Sequence, residues 1–173
     1  MKLFLCICAL SFNLFATGIL GQKAPSFGVD EWLQTKNNLA LDINDYKGKV
    51  LYIYGFQAWC PGCHAHGFPT LQKLSKHYKK DDKVAFVAIQ TVFEGYSSNT
   101  IDAARKIIKQ YKLDMPVGQS GGKNKRSQFM SSYRSGGTPW TVIIDKRGVV
   151  RFNNFHANVE DIINYMDMLK KES

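Results

Sequence analysis

The chain has 173 residues, of which 45% are hydrophobic and 21% are charged, and its formal net charge is +9. This length is enough for one domain with its own hydrophobic core and too short for two. The composition is ordinary for a globular protein, and the chain has no low-complexity tract and no repeat at the periods of solenoid proteins.

The first twenty residues differ from the rest of the chain. Lys2 gives a short positive start, the apolar run LFLCICALSFNLF follows, and small residues appear in ATGILGQ. Because this arrangement is typical of a secretory signal peptide, we expect residues 1–21 to be removed and residues 22–173 to form one domain. The alternative is an uncleaved N-terminal membrane anchor over residues 3–20. Both interpretations predict an exported protein in a periplasmic or other extracytoplasmic location.

An irregular segment follows the leader, and then a strong strand signal. EWLQ and LALDI, on either side of turn residues 36–38, predict one or two short strands. The apolar run VLYIYGF, Val50–Phe56, predicts a strand that is buried on both faces. Helical spacing extends from residue 61 to about residue 79, where Pro69 should kink or restart the helix.

The second half of the chain alternates between further strands and helices. VAFVAI predicts a buried strand, TIDAARKIIKQY a helix that Ser98 and Asn99 can cap, and NKRSQFMSSY a shorter helix. WTVIID and VVRFNNF predict a hairpin with Gly148 at its turn, and VEDIINYMDMLKK predicts a final amphipathic helix. This order indicates an α/β fold with a mixed central sheet that helices cover.

The motif AWCPGC places Cys60 and Cys63 at the start of a predicted helix, directly after a buried strand. Unpaired backbone N–H groups and the positive end of the helix dipole favour a thiolate at Cys60 in this position. Cys63, one turn further along, should be less exposed and should resolve a mixed disulfide by attacking Cys60. The other cysteines, Cys6 and Cys8, lie in the predicted leader.

Two other interpretations of the cysteine pair are weaker. A structural zinc site would recruit His64 or His66, but it usually needs a second ligand pair, and His77 and His156 are isolated in sequence. A permanent structural disulfide would close too short a loop to restrict the unfolded chain much. We therefore expect a redox-active pair, without a metal or another cofactor.

A second motif, GGTPWTVIID, places Thr138 and Pro139 at the start of a buried strand, where proline is tolerated. AWCPGC together with GTPWTVIIDKRG resembles the thioredoxin superfamily, and within it the extracytoplasmic thiol–disulfide oxidoreductases of the TlpA/ResA type. The similarity runs from about Ala24 to the C-terminus. It implies a thioredoxin-like fold with a helical insertion, at about residues 97–133, before a cis-proline loop.

The resemblance also implies roles for individual residues. Cys60 would be the nucleophile and Cys63 the resolving cysteine of a redox-active disulfide. Pro139 would be the cis-proline that faces this disulfide, and Thr138 would offer backbone hydrogen bonds to a bound substrate. Trp59 would be the tryptophan that precedes the nucleophile and borders the substrate.

The chain departs from the family's pattern at three places. Related proteins often carry a glutamate three residues after the second cysteine, where this chain has His66. That histidine is a candidate for proton transfer, and the alternative is a surface histidine without a catalytic task. Tyr54 stands where thioredoxin has a buried aspartate. Pro69 falls one residue later than the family's helix proline, and Gly67 could absorb the extra residue as a kink or bulge.

These features predict an exported, monomeric thiol–disulfide oxidoreductase that exchanges disulfides with protein thiols. The resemblance favours the reducing direction, with electrons from a membrane-bound or soluble donor. One alternative is a peroxiredoxin-like thiol peroxidase, although YGFQAW lacks the proline and threonine that such enzymes carry before the cysteine. Another is a non-enzymatic copper or zinc carrier that uses Cys60, Cys63 and a histidine.

A basic stretch, GGKNKRSQFMSSYRSGG, contains four basic residues and no acidic one. Such a surface could attract acidic partners or a membrane face. Because no nucleic-acid-binding motif accompanies the charge, we expect a solvated surface and no nucleic-acid partner.

Overall fold

The computed structural model describes residues 19–36, 39–155 and 157–172, so most of the predicted leader lies outside the described residues. Within these ranges, no helix is long and apolar enough to cross a membrane. The elements in chain order are β1 (Glu31–Leu33), a 3₁₀ turn (Ile43–Tyr46), β2 (Val50–Phe56), a π turn (Cys63–Gly67), α1 (Phe68–His77), β3 (Val84–Thr91), α2 (Ile101–Tyr111), β4 (Val117–Ser120), α3 (Gln128–Tyr133), β5 (Trp140–Ile144), β6 (Val150–Phe155) and α4 (Val159–Lys171).

The strands form one mixed sheet in the order β1-β4-β3-β2-β5-β6. β2 pairs parallel to β3 and antiparallel to β5, and β3 pairs parallel to β4. The outer strands β1 and β6 are antiparallel to their neighbours. All seven residues of β2 are buried, as expected for a central strand with both faces covered. The predicted α/β fold with a mixed central sheet is confirmed.

Alternate residues of β2 enter two apolar layers. Tyr54 belongs to the layer that includes Leu71 of α1 and Met166 of α4. Ile53 belongs to the opposite layer, which includes Phe129 of α3. The period-two alternation of a strand therefore divides the core between two helical layers.

The strand predicted for LALDI does not form in the described residues. Asp42 instead begins the 3₁₀ turn, because its side chain accepts a hydrogen bond from the Asn44 N–H at 2.8 Å. The Asp45 side chain in turn accepts one from the Asp42 N–H at 2.7 Å. Local bonds of this kind satisfy backbone groups that would otherwise pair in a sheet.

The predicted helical insertion also contains a strand that the sequence pattern did not indicate. β4 has the sequence VGQS, which is short and half polar, yet all four residues are buried. Gln119 is satisfied there because its Nε2 donates to the carbonyls of Asn99 and Gly121, both at 3.0 Å. Burial with such internal partners lets a polar segment occupy the inside of a sheet.

The helix predicted from residue 61 changes its geometry near Pro69. A π turn extends over Cys63–Gly67, and α1 begins at Phe68, with the proline in its first turn. A π turn accommodates one extra residue in a helix, which is the adjustment that the sequence predicted at Gly67. The cap of α2 is a correction: Thr100, rather than Ser98 or Asn99, accepts a hydrogen bond from the backbone N–H at the helix start.

Candidate functional site

Strand pairing brings the two predicted motifs together. Gly55 near the end of β2 pairs with Trp140 at the start of β5. The cysteines follow Gly55 along the chain, and Thr138 and Pro139 directly precede Trp140. Because the two strands are antiparallel, both motifs lie at the same edge of the sheet.

Cys60 is a free thiol that lies between the helix start and the Thr138–Pro139 loop. The Cys63 N–H donates to the Cys60 Sγ at 3.2 Å, and the Cys60 thiol donates to the Thr138 carbonyl at 3.7 Å. The Thr138–Pro139 peptide bond is cis, and a Cβ placed on Gly62 would lie 3.3 Å from the Pro139 Cδ. The proline ring therefore packs directly against the segment between the two cysteines.

Cys63 is the more deeply placed of the two sulfurs. It has no exposed surface, whereas 7% of Cys60 is exposed. Burial raises the pKa of Cys63 to about 12, and the hydrogen bond with Cys60 adds to this rise. The Gln57 backbone and the nearby Tyr54 hydroxyl have the opposite, smaller effect and lower the pKa of Cys63. Cys63 is therefore protonated at neutral pH, while Cys60 is the sulfur that solvent reaches.

A buried asparagine fixes the backbone that leads into Cys60. The Asn99 Oδ1 accepts a hydrogen bond from the Ala58 N–H at 2.8 Å. Its Nδ2 donates to the carbonyls of Glu94 and Gly95, at 3.0 and 3.2 Å. Sequence reasoning missed this role, because the bond to Ala58 joins residues 41 positions apart.

The same loop supports Trp59, whose side chain borders the site. Trp59 is 46% exposed, and a Cβ placed on Gly95 would lie 2.8 Å from its indole Nε1. Gly95 also has a φ of +55°, a conformation that favours glycine. The indole therefore lies against the 94–99 loop and keeps about half of its surface available for contact.

His64 connects the active-site segment to α2. Its Nε2 lies 2.7 Å from the Ala58 carbonyl, and its Nδ1 lies 2.6 Å from the Tyr111 hydroxyl. Because a carbonyl only accepts, the Nε2 carries the hydrogen, and in the neutral ring the Nδ1 accepts from the tyrosine. Tyr111 also stacks on Phe68, with ring centroids 4.2 Å apart. Sequence reasoning considered His64 only as a metal ligand.

His66 lies on the π turn and is exposed. It follows the buried Cys63 by three residues, as the sequence indicates. Across the described ranges, no group of three or more His, Cys, Asp or Glu side chains is placed to hold a metal ion. The site thus consists of two thiols, a proline loop and a set of aromatic and amide side chains around them.

Comparisons with known proteins identify relatives over almost the whole described chain. The family model described as Redoxin matches residues 19–169. Thiol-disulfide oxidoreductase ResA of Bacillus subtilis (strain 168) is 26% identical over 168 residues, which cover 95% of this chain and 87% of that protein. Thioredoxin-like protein YneN of the same organism is 28% identical over 131 residues, which cover 76% of this chain and 68% of that protein.

Solved structures agree with these sequence matches. A crystal structure of the thioredoxin-like superfamily protein SPOA0173 superimposes with a TM-score of 0.80 and 31% identity, over 87% of this chain and 97% of that one. A thiol-disulfide isomerase from Corynebacterium glutamicum superimposes with a TM-score of 0.78 and 27% identity, over 87% of this chain and 98% of that one. Both alignments span nearly the full length of the solved chains.

Proposed function

The chain belongs to the Redoxin family, within the thioredoxin superfamily, and we propose that it is an exported thiol–disulfide oxidoreductase that reduces protein disulfides. The observation that carries the proposal is the difference between the two thiols. Cys60 keeps 7% of its surface exposed and accepts a hydrogen bond from a backbone N–H, whereas Cys63 has no exposed surface and burial raises its pKa to about 12. The relatives named thiol-disulfide oxidoreductase and thiol-disulfide isomerase support the same enzyme class.

In the proposed reaction, the Cys60 thiolate attacks one sulfur of a substrate disulfide. A mixed disulfide forms, and the other substrate sulfur leaves as a thiolate that takes up a proton. Cys63 then loses its proton and attacks the Cys60 Sγ, so that the second substrate thiol is released. The substrate gains two electrons, and the protein retains a Cys60–Cys63 disulfide, which a membrane-bound or soluble donor reduces again.

The residues around Cys60 are suited to hold a polypeptide. In the proposal, Thr138 offers its backbone to an extended substrate segment, and Pro139 presents an apolar ring beside Cys60. The exposed half of Trp59 borders the same position. His66, three residues after Cys63, is the proposed proton acceptor, because a neutral imidazole ring has a nitrogen that can accept a proton.

Export is a separate part of the proposal and rests on the composition of residues 1–21. We propose that the leader is cleaved and that residues 22–173 act as a monomeric extracytoplasmic domain. N-terminal sequencing of protein recovered from the extracytoplasmic fraction tests this, and a start near residue 22 is expected. An intact leader in the membrane fraction would instead support the N-terminal anchor.

Insulin reduction tests the proposed activity in the full chain with Cys6 and Cys8 changed to serine. With dithiothreitol as the electron donor, the parent should accelerate insulin precipitation, and Cys60→Ser should abolish the acceleration. When reduced Cys63→Ser is mixed with insulin in the absence of dithiothreitol, an insulin chain should stay attached to Cys60, and dithiothreitol added afterwards should release it. Activity that survives Cys60→Ser, or a Cys63→Ser variant without a reducible adduct, would contradict the exchange mechanism.

The direction of electron transfer is tested by the reduction potential of the Cys60–Cys63 couple, measured in glutathione redox buffers. A value near that of thioredoxin, about −270 mV, is expected for a reductase. A value near that of the oxidant DsbA, about −120 mV, would reverse the proposed direction and leave the exchange chemistry in place.

A further inference from the structure

Tyr54 places a phenolic hydroxyl beside the buried residue Cys63. The side chain extends from the central strand β2 into the apolar layer that also contains Cys63 and Phe68. Its hydroxyl lies 3.5 Å from the Cys63 carbonyl. Burial raises the pKa of Tyr54, and the electrostatic influence of the neighbouring Cys63 thiol raises it further. No other role described above uses this hydroxyl.

The π turn provides the space that this hydroxyl occupies. A Cβ placed on Gly67 would overlap the Tyr54 hydroxyl and would lie 2.6 Å from its Cζ. Only a glycine at this position lets the phenol approach the end of the π turn so closely. The extra residue of the turn and the tyrosine in the strand therefore fit each other.

The Tyr54 hydroxyl is available to the Cys63 sulfur, because the Cys63 carbonyl has another hydrogen-bond donor. The Cys63 carbonyl already accepts a hydrogen bond from the Phe68 N–H within the π turn. Because Tyr54 is buried, its pKa lies well above the ordinary value of 10.0, so its hydroxyl keeps its proton and remains a donor. A buried donor of this kind stabilises a neighbouring anion more strongly than a neutral group.

We propose that the Tyr54 hydroxyl donates a hydrogen bond to the Cys63 sulfur as it becomes a thiolate, and thereby promotes the resolving step of disulfide exchange. This inference rests on the proposed function. It gives Tyr54 a catalytic role at the position where the family's buried aspartate is absent.

The chemistry of the step needs no further reactant. The Cys63 thiol loses its proton to solvent or to a base at the surface, and the thiolate accepts the hydrogen bond from Tyr54. An electron pair of the Cys63 sulfur forms the bond to the Cys60 Sγ. The bond between Cys60 and the substrate sulfur breaks, and the substrate leaves as a thiolate that solvent protonates. Tyr54 keeps its own proton throughout.

The titratable groups around this pair come from four parts of the chain. Cys60 lies on the active-site segment, and its charge raises the pKa of both Cys63 and Tyr54. Tyr52 on β2 also acts on Tyr54, and Tyr111 on α2 interacts electrostatically with Cys63. His64 and His66 belong to the π turn itself. A variant at position 54 leaves all of these groups in place.

The matched comparison is between Tyr54→Phe and Tyr52→Phe. Tyr52 is also buried in β2 and lies in the same apolar layer, but its hydroxyl pairs with the Thr141 Oγ1 at 3.2 Å. Both variants are made in the full chain with Cys6 and Cys8 changed to serine. Each reduced protein is mixed with the aromatic disulfide dithiobis(nitrobenzoate) in a stopped-flow instrument, and release of the coloured thiol is followed over a pH series.

Two phases are expected, because attack by Cys60 releases the first coloured thiol and resolution by Cys63 releases the second. Tyr54→Phe should leave the first phase unchanged and slow the second by about tenfold near neutral pH, equivalent to about 1.4 kcal/mol. The pH midpoint of the second phase should move to higher pH. Tyr52→Phe should leave both phases unchanged.

An unchanged second phase in Tyr54→Phe would overturn the inference, as would equal slowing of both phases or equal slowing in Tyr52→Phe. A parent protein that shows no first phase would overturn the proposed function itself and this inference with it. Fluorotyrosine at position 54 provides a test that does not remove the hydroxyl. Its hydroxyl is a stronger donor, so the midpoint of the second phase should move to lower pH, and a shift in the other direction would contradict the inference.

Discussion

Asn99 links two loops of the site through both polar atoms of its side chain. It is fully buried, accepts from the Ala58 N–H and donates to the Glu94 and Gly95 carbonyls. Its own carbonyl accepts from Gln119 of β4. A single side chain therefore connects the backbone before Cys60 to the loop under Trp59.

Replacing this asparagine should weaken both the fold and the activity. Asn99→Ala leaves the Ala58 N–H without its partner, so the free energy of unfolding should fall by about 1–3 kcal/mol. Insulin reduction should fall as well, because the backbone that positions Cys60 is less constrained. Urea unfolding and the insulin assay measure the two effects.

Asn164 on the exposed side of α4 is the matched control for this prediction. Asn164→Ala should change stability and activity little, since an exposed asparagine exchanges its hydrogen bonds with water. If the two alanine variants are equally stable and active, the proposed role of Asn99 in holding the backbone before Cys60 is wrong.

Sequence reasoning identified the parts of the site that lie in continuous motifs. The pairing of β2 with β5 brings Cys60 and Cys63 to Thr138 and Pro139, a proximity that the resemblance to the thioredoxin superfamily implied. The supporting side chains were not predicted, because their bonds join distant positions: the His64 ring and the Tyr111 hydroxyl are 47 residues apart. No local pattern of residue types marks such a pair.

At the level of elements, the π turn after Cys60 ends at a glycine that lies against the Tyr54 side chain. Gly67 has helical dihedral angles, with φ −65° and ψ −54°, so alanine would be compatible with its backbone. Helix propensity alone predicts that Gly67→Ala stabilises the protein by up to about 1 kcal/mol. The overlap of the added methyl group with Tyr54 predicts the opposite sign.

We expect the overlap to decide the outcome of Gly67→Ala. Overpacking in a core costs about 1–3 kcal/mol, so the free energy of unfolding should fall by an amount in this range. Combining it with Tyr54→Phe removes the nearest atom, although the ring carbon 2.6 Å from the new Cβ remains. The double variant should therefore lose less stability than the sum of the single variants.

Urea unfolding of the parent, both single variants and the double variant completes this cycle. A Gly67→Ala protein that is more stable than the parent would show that the strand and the turn separate easily. Additive losses would show that Tyr54 and Gly67 do not act on each other. Either result would also weaken the argument that the turn is shaped to admit the tyrosine.

The elements that sequence reasoning predicted well are those with a long apolar pattern. VLYIYGF forms the fully buried β2, and VEDIINYMDMLKK forms α4 with Ile162, Met166 and Leu169 inside. β4 was missed and LALDI was wrongly predicted as a strand, because short segments are decided by particular hydrogen bonds rather than by periodicity. Gln119 and Asp42 make those bonds.

At the scale of the whole molecule, an ion-pair cluster of Asp145, Arg151 and Glu172 connects the last helix to the sheet. Asp145 follows β5 and is only 3% exposed, and its Oδ2 lies 3.1 Å from the Arg151 Nη1. Arg151 also pairs with Glu172, directly after α4. Since α4 contributes Met166 and Leu169 to the apolar layer that contains Cys63, this attachment stabilises the packing around Cys63.

Because Asp145 is charged in the folded protein, the free energy of unfolding should decrease as the pH falls into the acid range. Burial raises the pKa of this carboxyl, but hydrogen bonds from the Val149 N–H and Arg151 outweigh that effect and hold the pKa below its ordinary value. The pKa of Asp145 is thus lower in the folded than in the unfolded state. Its contribution to the free energy of unfolding is therefore fully present at pH values above the pKa of the unfolded state. This contribution is lost as the pH falls through the pKa of the folded state.

Asp145→Asn should therefore lower the free energy of unfolding at neutral pH by about 1–3 kcal/mol and should flatten its decline in acid. Urea unfolding at a series of pH values from about 3 to 7 measures both effects. Asp82→Asn, at an exposed position before β3, is the control and should keep the slope of the parent. If Asp145→Asn keeps the acid slope of the parent, this carboxylate is not what holds α4 to the sheet. The attachment of α4 would then depend on its apolar packing and on its other hydrogen bonds, such as that from the Tyr165 hydroxyl to the Arg151 carbonyl.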